Sequence, residues 1–414
     1  MNRKVSRKKL VVFDVEGVLL PKNRYLAFEV GRNLSFLQLL KLLLFGILYE
    51  IGALSLESAF KKIFKLFQGF SIEELLEIFE KVPLLPYTET VFVELKKRGF
   101  KTALISSGLP HVVVANLALR LKADYAFGLE LETDNKILTG NIKGDVLKKN
   151  GKALVMKEIL DLEGLSKKET VVVADDRNNA PILYPEVLKI GYNPDFLITV
   201  KSDRVIEENL LELISILEGK QRSWHSLSRH EAIREAIHAG GFFITFASML
   251  LGIYPIAFLL FLTILIYMAS ELARLERKTI PLISSITVKA ATLSERYEFT
   301  TTPIYLALGV ILSLLFFPTP INYASIAIVC LGDSAASIFG KVFGKTAIPF
   351  NKGKSLEGFL AGFAFAFLSA AIFLHPLQAF VGAILGMFVE SLPLPVNDNL
   401  STPLAAGIFL AFLF

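Results

Sequence analysis

The chain has 414 residues, 53% of them hydrophobic, with a mean hydropathy of +0.53 and a formal net charge of +5. That is too apolar for an ordinary soluble protein, and the charge is too modest to call for a nucleic-acid partner. A single cysteine, Cys330, lies in an apolar run. This excludes a disulfide framework and a cysteine-based metal site and makes Cys330 a packing residue.

The apolar excess is uneven. Residues 1–235 are charged throughout, whereas charge after about residue 236 is confined to three clusters. This predicts a cytosolic domain over 1–215, a linker over 216–235 and an all-α polytopic membrane domain over 236–414. The N-terminus "MNRKVSRKKL" is basic, but acids follow at once in "VVFDVEGVLL", so no signal peptide is expected.

In chain order, "KKLVVFDVEGVLL" is an apolar strand that ends at Asp14, followed by Glu16 and Gly17. Parallel α/β folds gather their active sites at such strand ends. "KTALISSG" is a second such strand and reaches Ser106, and "TVVVADDRNNAP" is a third that ends at Asp175 and Asp176. Lys152 opens the helix "GKALVMKEIL". A carboxylate nucleophile, a hydroxyl, a metal-binding acid and a lysine make a phosphoryl-transfer constellation. The lysine and Mg²⁺ neutralise charge that would otherwise repel the nucleophile.

These four motifs, in this order over about 8–215, resemble the haloacid dehalogenase (HAD) phosphatase superfamily, close to the phosphoserine phosphatase type. The resemblance implies a Rossmann-like α/β fold with a helical cap. It implies Asp14 as nucleophile, Glu16 as general acid/base, Ser106 on the phosphate and Lys152 stabilising it. Mg²⁺ would be held by Asp14, Glu16, Asp175 and Asn179. The sequence departs from the family in two places: Glu16 stands where Asp is usual, and Asn179 where Asp is usual. Asp176, at a position usually held by Gly, offers a compensating charge.

The insertion over about 20–85 is where this superfamily places its cap. Within it, Leu34 to Leu54 carries only Lys41 and Glu50 as charges. It reads either as the core of a helical cap or as a helix lying on a membrane. "FSIEELLEIFEKV" begins with a capping box, Ser71 and Glu74, and is scaffold. Farther on, Trp224 with Arg222, His225 and Arg229 suits an interfacial anchor in the linker.

A membrane span needs about 20 apolar residues. Seven candidates follow, near 237–254, 255–273, 303–318, 320–339, 357–374, 377–392 and 399–414, several of them short. After residue 238 every charge falls in 271–298, 333–357 or 390–398. With those spans all three clusters share one side, and their lysines and arginines make it cytosolic. Asp333, Glu390 and Glu271 sit within span ends, where ionisable groups are costly and point to function.

"GDSAASIFGKVFGK…NKGKSLEGFLAG", then "ES…NDNL", resembles the polytopic CTP-dependent lipid kinases: dolichol kinase, phytol kinase and the CTP-dependent diacylglycerol kinase. "REAIHAGG" resembles their opening, with Arg234 and His238 matching and Glu235 in place of lysine. The resemblance covers about 230–414. It implies a lipid alcohol such as a polyprenol as acceptor, CTP as donor and Mg²⁺ at Asp333. Lys341, Lys354, Ser355, Glu357, Asn397 and Asp398 become nucleotide-site candidates, and His238 is either a general base or structural. The combined expectation is a bifunctional enzyme with both sites facing the cytosol. Two other readings stay open: a CDP-lipid synthase, and a transporter with a regulatory HAD domain.

Overall fold

A computed structural model of the chain describes residues 8–22, 34–50, 53–148, 150–207, 209–219, 227–276, 278, 280–281, 283–291, 295–297, 299–394 and 396–413. It divides into two compact units, Met1–Gln221 and Arg222–Phe414.

The first unit is built on a seven-stranded sheet: β1 (Leu10–Phe13), β2 (Lys101–Pro110), β3 (Tyr125–Asp134), β4 (Ile137–Lys143), β5 (Thr170–Ala174), β6 (Leu188–Tyr192) and β7 (Arg204–Ile206). The strand order is β4-β3-β2-β1-β5-β6-β7, parallel except for the antiparallel β3–β4 pair. "LVVF" and "TVVVA" are buried along their whole length, as parallel strands covered on both faces must be. Phe13 is in register with Leu104 of β2 and Val173 of β5. That register brings Asp14, Ser106 and Asp175 to one edge of the sheet.

Three helices fall in the expected cap: α1 (Phe36–Glu50), α2 (Leu56–Phe64) and α3 (Ile72–Glu80). The Ser71–Glu74 capping box forms at the start of α3. The sheet is flanked by α4 (Thr88–Lys97), α5 (His111–Leu121), α6 (Gly151–Glu163), α7 (Phe196–Lys201) and α8 (Glu212–Leu217). Helix α1 sends Leu39 and Leu42 into the core around Phe64 and Phe67. It leaves Phe36, Leu37, Leu40, Leu43 and Leu44 exposed.

The second unit is mostly helical: α9 (Arg229–Gly240), α10 (Phe243–Leu251), α11 (Ile253–Leu275), α12 (Ile283–Ala290), α13 (Thr302–Phe316), α14 (Ile321–Phe343), α15 (Leu356–Ala370), α16 (Pro376–Ser391) and α17 (Asp398–Leu413). Among the described residues, α11 and α14 are long and apolar enough to cross a membrane. Helices α13, α15, α16 and α17 are apolar but shorter. At 1.5 Å per residue a 16-residue helix spans about 24 Å, short of a hydrocarbon layer of about 30 Å.

Two expectations change. The unit is not all-α, because the Lys- and Gly-rich loop folds back as a hairpin, β8 (Ala347–Ile348) with β9 (Asn351–Ser355). The linker does not extend to residue 235: Ser228 caps α9 with Glu231, and Glu235 is buried in the second unit. Asp333 closes a π-helical turn over Ile328–Asp333, and α14 runs on past it to Phe343. The proposed anchor residues Arg222, Trp224 and His225 lie outside the described residues.

Candidate functional site

In the first unit the strand ends bring the candidate residues together. Asp14 and Asp175 are buried, and Asp176 is half-buried beside them. One carboxylate oxygen from each lies within 4.8 Å of the others. Lys152, itself buried, places Nζ 2.9 Å from Asp14 Oδ2 and donates to Asn179 Oδ1 at 2.7 Å. Asn179 Nδ2 donates in turn to Asp14 Oδ2 and, at 3.1 Å, to Asp176 Oδ1. Ser106 is fully buried. Its hydroxyl donates to Glu16 Oε2 at 3.3 Å and accepts from the Gly108 and Leu109 amides.

Gly17 is required twice over. Its φ of +80° is left-handed, and an added Cβ would stand 2.0 Å from Asp175 Oδ2. Lys22, which sequence reasoning missed, pairs with that same oxygen at 3.3 Å. No motif marks Lys22; the turn after β1 puts it there.

The electrostatics follow from burial and from acid crowding. Desolvation, helped by the Asp14 carboxylate, pushes Glu16 up to about 8. Burial also raises Asp175 and Asp176 above the usual carboxylate range, with the Asp14 carboxylate adding to both and Asp176 to Asp175. Burial opposes the charge on Lys152, but Asp14, Asp176 and Asp175 outweigh it and hold the ammonium above an ordinary lysine. Asp175 Oδ1 is buried with no hydrogen-bond partner among the described residues. Three clustered carboxylates, one of them with a bare oxygen, are a donor set that suits a hard cation such as Mg²⁺.

The second unit holds a similar group. Asp333 of α14, Glu390 at the C-terminal end of α16 and Asp398 at the start of α17 bring carboxylate oxygens within 4.8 Å of one another. Lys354 of β9 reaches in, with Nζ 2.5 Å from Glu390 Oε1 and 3.1 Å from Asp398 Oδ2. Burial opposes its charge, but the acids around it hold Lys354 well above an ordinary lysine. His238 Nδ1 lies 3.4 Å from Asp333 Oδ2, and its Nε2 is buried without a hydrogen-bond partner among the described residues. Gly332 lets the helices close at this level: a Cβ there would stand 2.7 Å from Met387 Sδ.

Residues 11–183 match the family of haloacid dehalogenase-like hydrolases. The first unit, the hydrolase-like domain, carries this match over most of its length. Its relatives include a phosphoserine phosphatase of Archaeoglobus fulgidus, 32% identical over 214 residues, covering 51% of this chain and 60% of that protein. A phosphoserine phosphatase of Methanocaldococcus jannaschii is 28% identical, covering 51% of this chain and 99% of that protein. A separate region matches a probable phytol kinase 1 of Glycine max at 36% identity over 132 residues, covering 27% of this chain and 43% of that protein. The chain thus spans less than two thirds of the Archaeoglobus and Glycine relatives it matches.

Within the hydrolase domain, Asp14, Ser106, Lys152, Asp175 and Asn179 converge. Among the carboxylates, Glu16 faces Ser106 and stands outside the cluster of Asp14, Asp175 and Asp176, a correction to the expected ligand set. Asn179 lies against that cluster, its amide bridging Lys152 and Asp14 and reaching Asp176. Asp176 takes the third carboxylate place. In the second unit Asp333, Lys354 and Asp398 converge, joined by Glu390, which the sequence marks only as a span-end acid. The other four candidates serve their own elements. Lys341 pairs with Glu231 at 2.8 Å. Ser355 caps α15 through the Gly358 amide. Glu357 holds the Lys345 and Thr346 amides. Asn397 accepts from the Asn399 amide.

Proposed function

We propose that the chain is a bifunctional membrane enzyme. The hydrolase domain would cleave phosphomonoesters through an aspartyl-phosphate, and the second unit would phosphorylate an isoprenoid-type lipid alcohol with CTP. The observation that carries this reading is the same in both units: three converging carboxylates against one lysine. That excess of negative charge calls for a divalent cation and phosphate oxygens. The relatives' names, phosphoserine phosphatase and phytol kinase, support the two reaction classes. The donor, CTP, rests on the "GDSAAS…KGKSLEG" resemblance.

In the hydrolase domain an Asp14 oxygen forms a bond to phosphorus while the ester P–O bond breaks. Lys152, 2.9 Å away, neutralises charge on the nucleophile side, and Ser106 orients a phosphoryl oxygen. Glu16, raised to about 8, is protonated at neutral pH and gives its proton to the leaving alcohol. Water then attacks the aspartyl-phosphate, returns a proton to Glu16 and frees Asp14. Mg²⁺ bound by Asp14, Asp175 and Asp176 would supply positive charge to the phosphoryl oxygens.

In the second unit Asp333, Glu390 and Asp398 would hold Mg²⁺, which would draw charge from the CTP phosphates, with Lys354 ordering the acids. His238, buried beside Asp333, would take the proton of the lipid hydroxyl in this reading. The hydroxyl oxygen bonds to the γ-phosphorus and CDP leaves. Short helices α13 and α15–α17, together with α10, α11 and α14, make the seven spans of this reading, with both sites on the cytosolic side.

The test supplies γ-³²P-CTP, Mg²⁺ and a panel of lipid alcohols to the purified protein. Label in lipid, erased faster by wild type than by Asp14→Asn, is the expected result. Label absent from lipid, with a CDP-lipid formed instead, would replace the kinase with a cytidylyltransferase.

A further inference from the structure

Helix α1 is apolar on two faces. Leu39 and Leu42 pack into the domain, while Phe36, Leu37, Leu40, Leu43 and Leu44 are exposed by between 47% and 73%. At about 100° per residue these five fall on one side of the helix. Holding a cap in place requires one apolar face; a second calls for another partner. Its border is basic. Lys41 is exposed beside the stripe, Lys62 lies 5.5 Å from the Phe45 ring on its flank, and Lys65 is exposed nearby in sequence, as is Lys61, which pairs with Glu57 at 2.6 Å.

The same helix touches the catalytic loop. Tyr49 Oη donates to Asn178 Oδ1 at 2.6 Å, and Arg177 Nη2 donates to the Tyr49 carbonyl at 3.2 Å. Asn178 in turn donates to Asp176. Arg229 follows Gly219 by only ten residues, a reach of at most about 35 Å. Beyond it come α11 and α14, long and apolar enough for a bilayer.

We propose that α1 is an interfacial helix whose exposed face rests in the headgroup layer of an anionic bilayer, and that the hydrolase site takes its phosphomonoester from a lipid in that layer. The proposal rests on the reading of the first unit as a phosphatase and names its substrate class. A basic-rimmed apolar stripe suits an anionic lipid surface. A lipid monophosphate carries its phosphate at the depth where such a helix lies. The products are a lipid alcohol, left in the bilayer, and inorganic phosphate.

The test reconstitutes the full chain into vesicles of phosphatidylcholine and phosphatidylglycerol. Phosphate release is measured from hexadecyl phosphate in the vesicles, and from phosphoserine and p-nitrophenyl phosphate in solution. Leu40→Glu with Leu44→Glu is expected to slow hexadecyl phosphate hydrolysis about tenfold or more, and to leave p-nitrophenyl phosphate within about twofold. Unchanged hexadecyl phosphate hydrolysis in that variant overturns the proposal, as does a wild type that acts on phosphoserine alone. Equal loss on every substrate makes the stripe a packing face, and loss accompanied by a halved particle mass makes it a contact between copies; either overturns the proposal. Hydrolysis of p-nitrophenyl phosphate that survives Asp14→Asn removes instead the phosphatase reading beneath it.

Discussion

The two acid clusters use the same charges on different frameworks. Asp14, Asp175 and Asp176 ride on the ends of adjacent parallel strands, so register alone aligns them. Asp333, Glu390 and Asp398 come from three helices, and their lysine comes from a hairpin. In the first unit Lys152 and Asn179 lock each other and Asp14. In the second unit the part played by Lys152 falls to Lys354, a side chain that α14, α16 and α17 do not themselves supply. Strand ends fix a site locally, whereas helix ends need a staple.

The largest effects should separate the two sites. Asp14→Asn is expected to lower phosphate release by about 10³-fold or more and leave lipid phosphorylation within about twofold; Asp333→Asn should do the reverse. Measuring both activities on each variant checks this, and a joint loss in folded protein would merge the two sites into one. Next, Lys354→Met leaves Glu390 buried without its cation. It should abolish lipid phosphorylation and cost about 3 kcal/mol of stability, read from thermal unfolding of the second unit in detergent.

Gly17→Ala sharpens the strand-end side of the comparison. The clash with Asp175 and the positive φ should lower phosphate release by roughly 10- to 100-fold in steady-state assays, with lipid phosphorylation untouched. The pH dependence is gentler. Glu16 keeps its proton up to about 8 in the folded domain and loses it near 4.5 when unfolded. The folded state therefore binds more protons across that window. Stability in EDTA should fall as pH rises from 4.5 to 8, by at most about 1.4 kcal/mol per unit from this group. Thermal unfolding across that range should show a shallower slope in Glu16→Gln, with Asp175 and Asp176 supplying the remainder. Smallest of all, Glu357→Gln should change lipid phosphorylation less than about threefold, because Glu357 braces the loop at Lys345 and Thr346. A loss as large as that of Asp333→Asn would return Glu357 to the nucleotide site.

The hydrolase site was legible in the sequence because each of its residues ends or follows an apolar strand or opens a helix. What stayed hidden there depends on side-chain direction. Asn179 reads as a ligand from its position, whereas its amide spans Lys152 and Asp14, and Lys22 belongs to a turn with no motif. In the second unit the motif block located Asp333, Lys354 and Asp398, but motif proximity overcounted. Lys341, Ser355, Glu357 and Asn397 sit in the same segments and serve helix caps, a loop and an ion pair. Glu390 was visible as a costly acid, and only the fold of the hairpin onto α16 supplied its partner.

The π-helical turn over Ile328–Asp333 gives α14 one more consequence. Such a turn holds one residue more than the regular helix needs. A regular helix places successive residues about 100° apart. A π turn takes up its extra residue locally, so the segments on either side keep their facing while the residues inside the turn, Asp333 among them, take directions that a regular helix would not give them. The extra residue thus acts as a phase setting for the acid that meets Glu390 and Asp398.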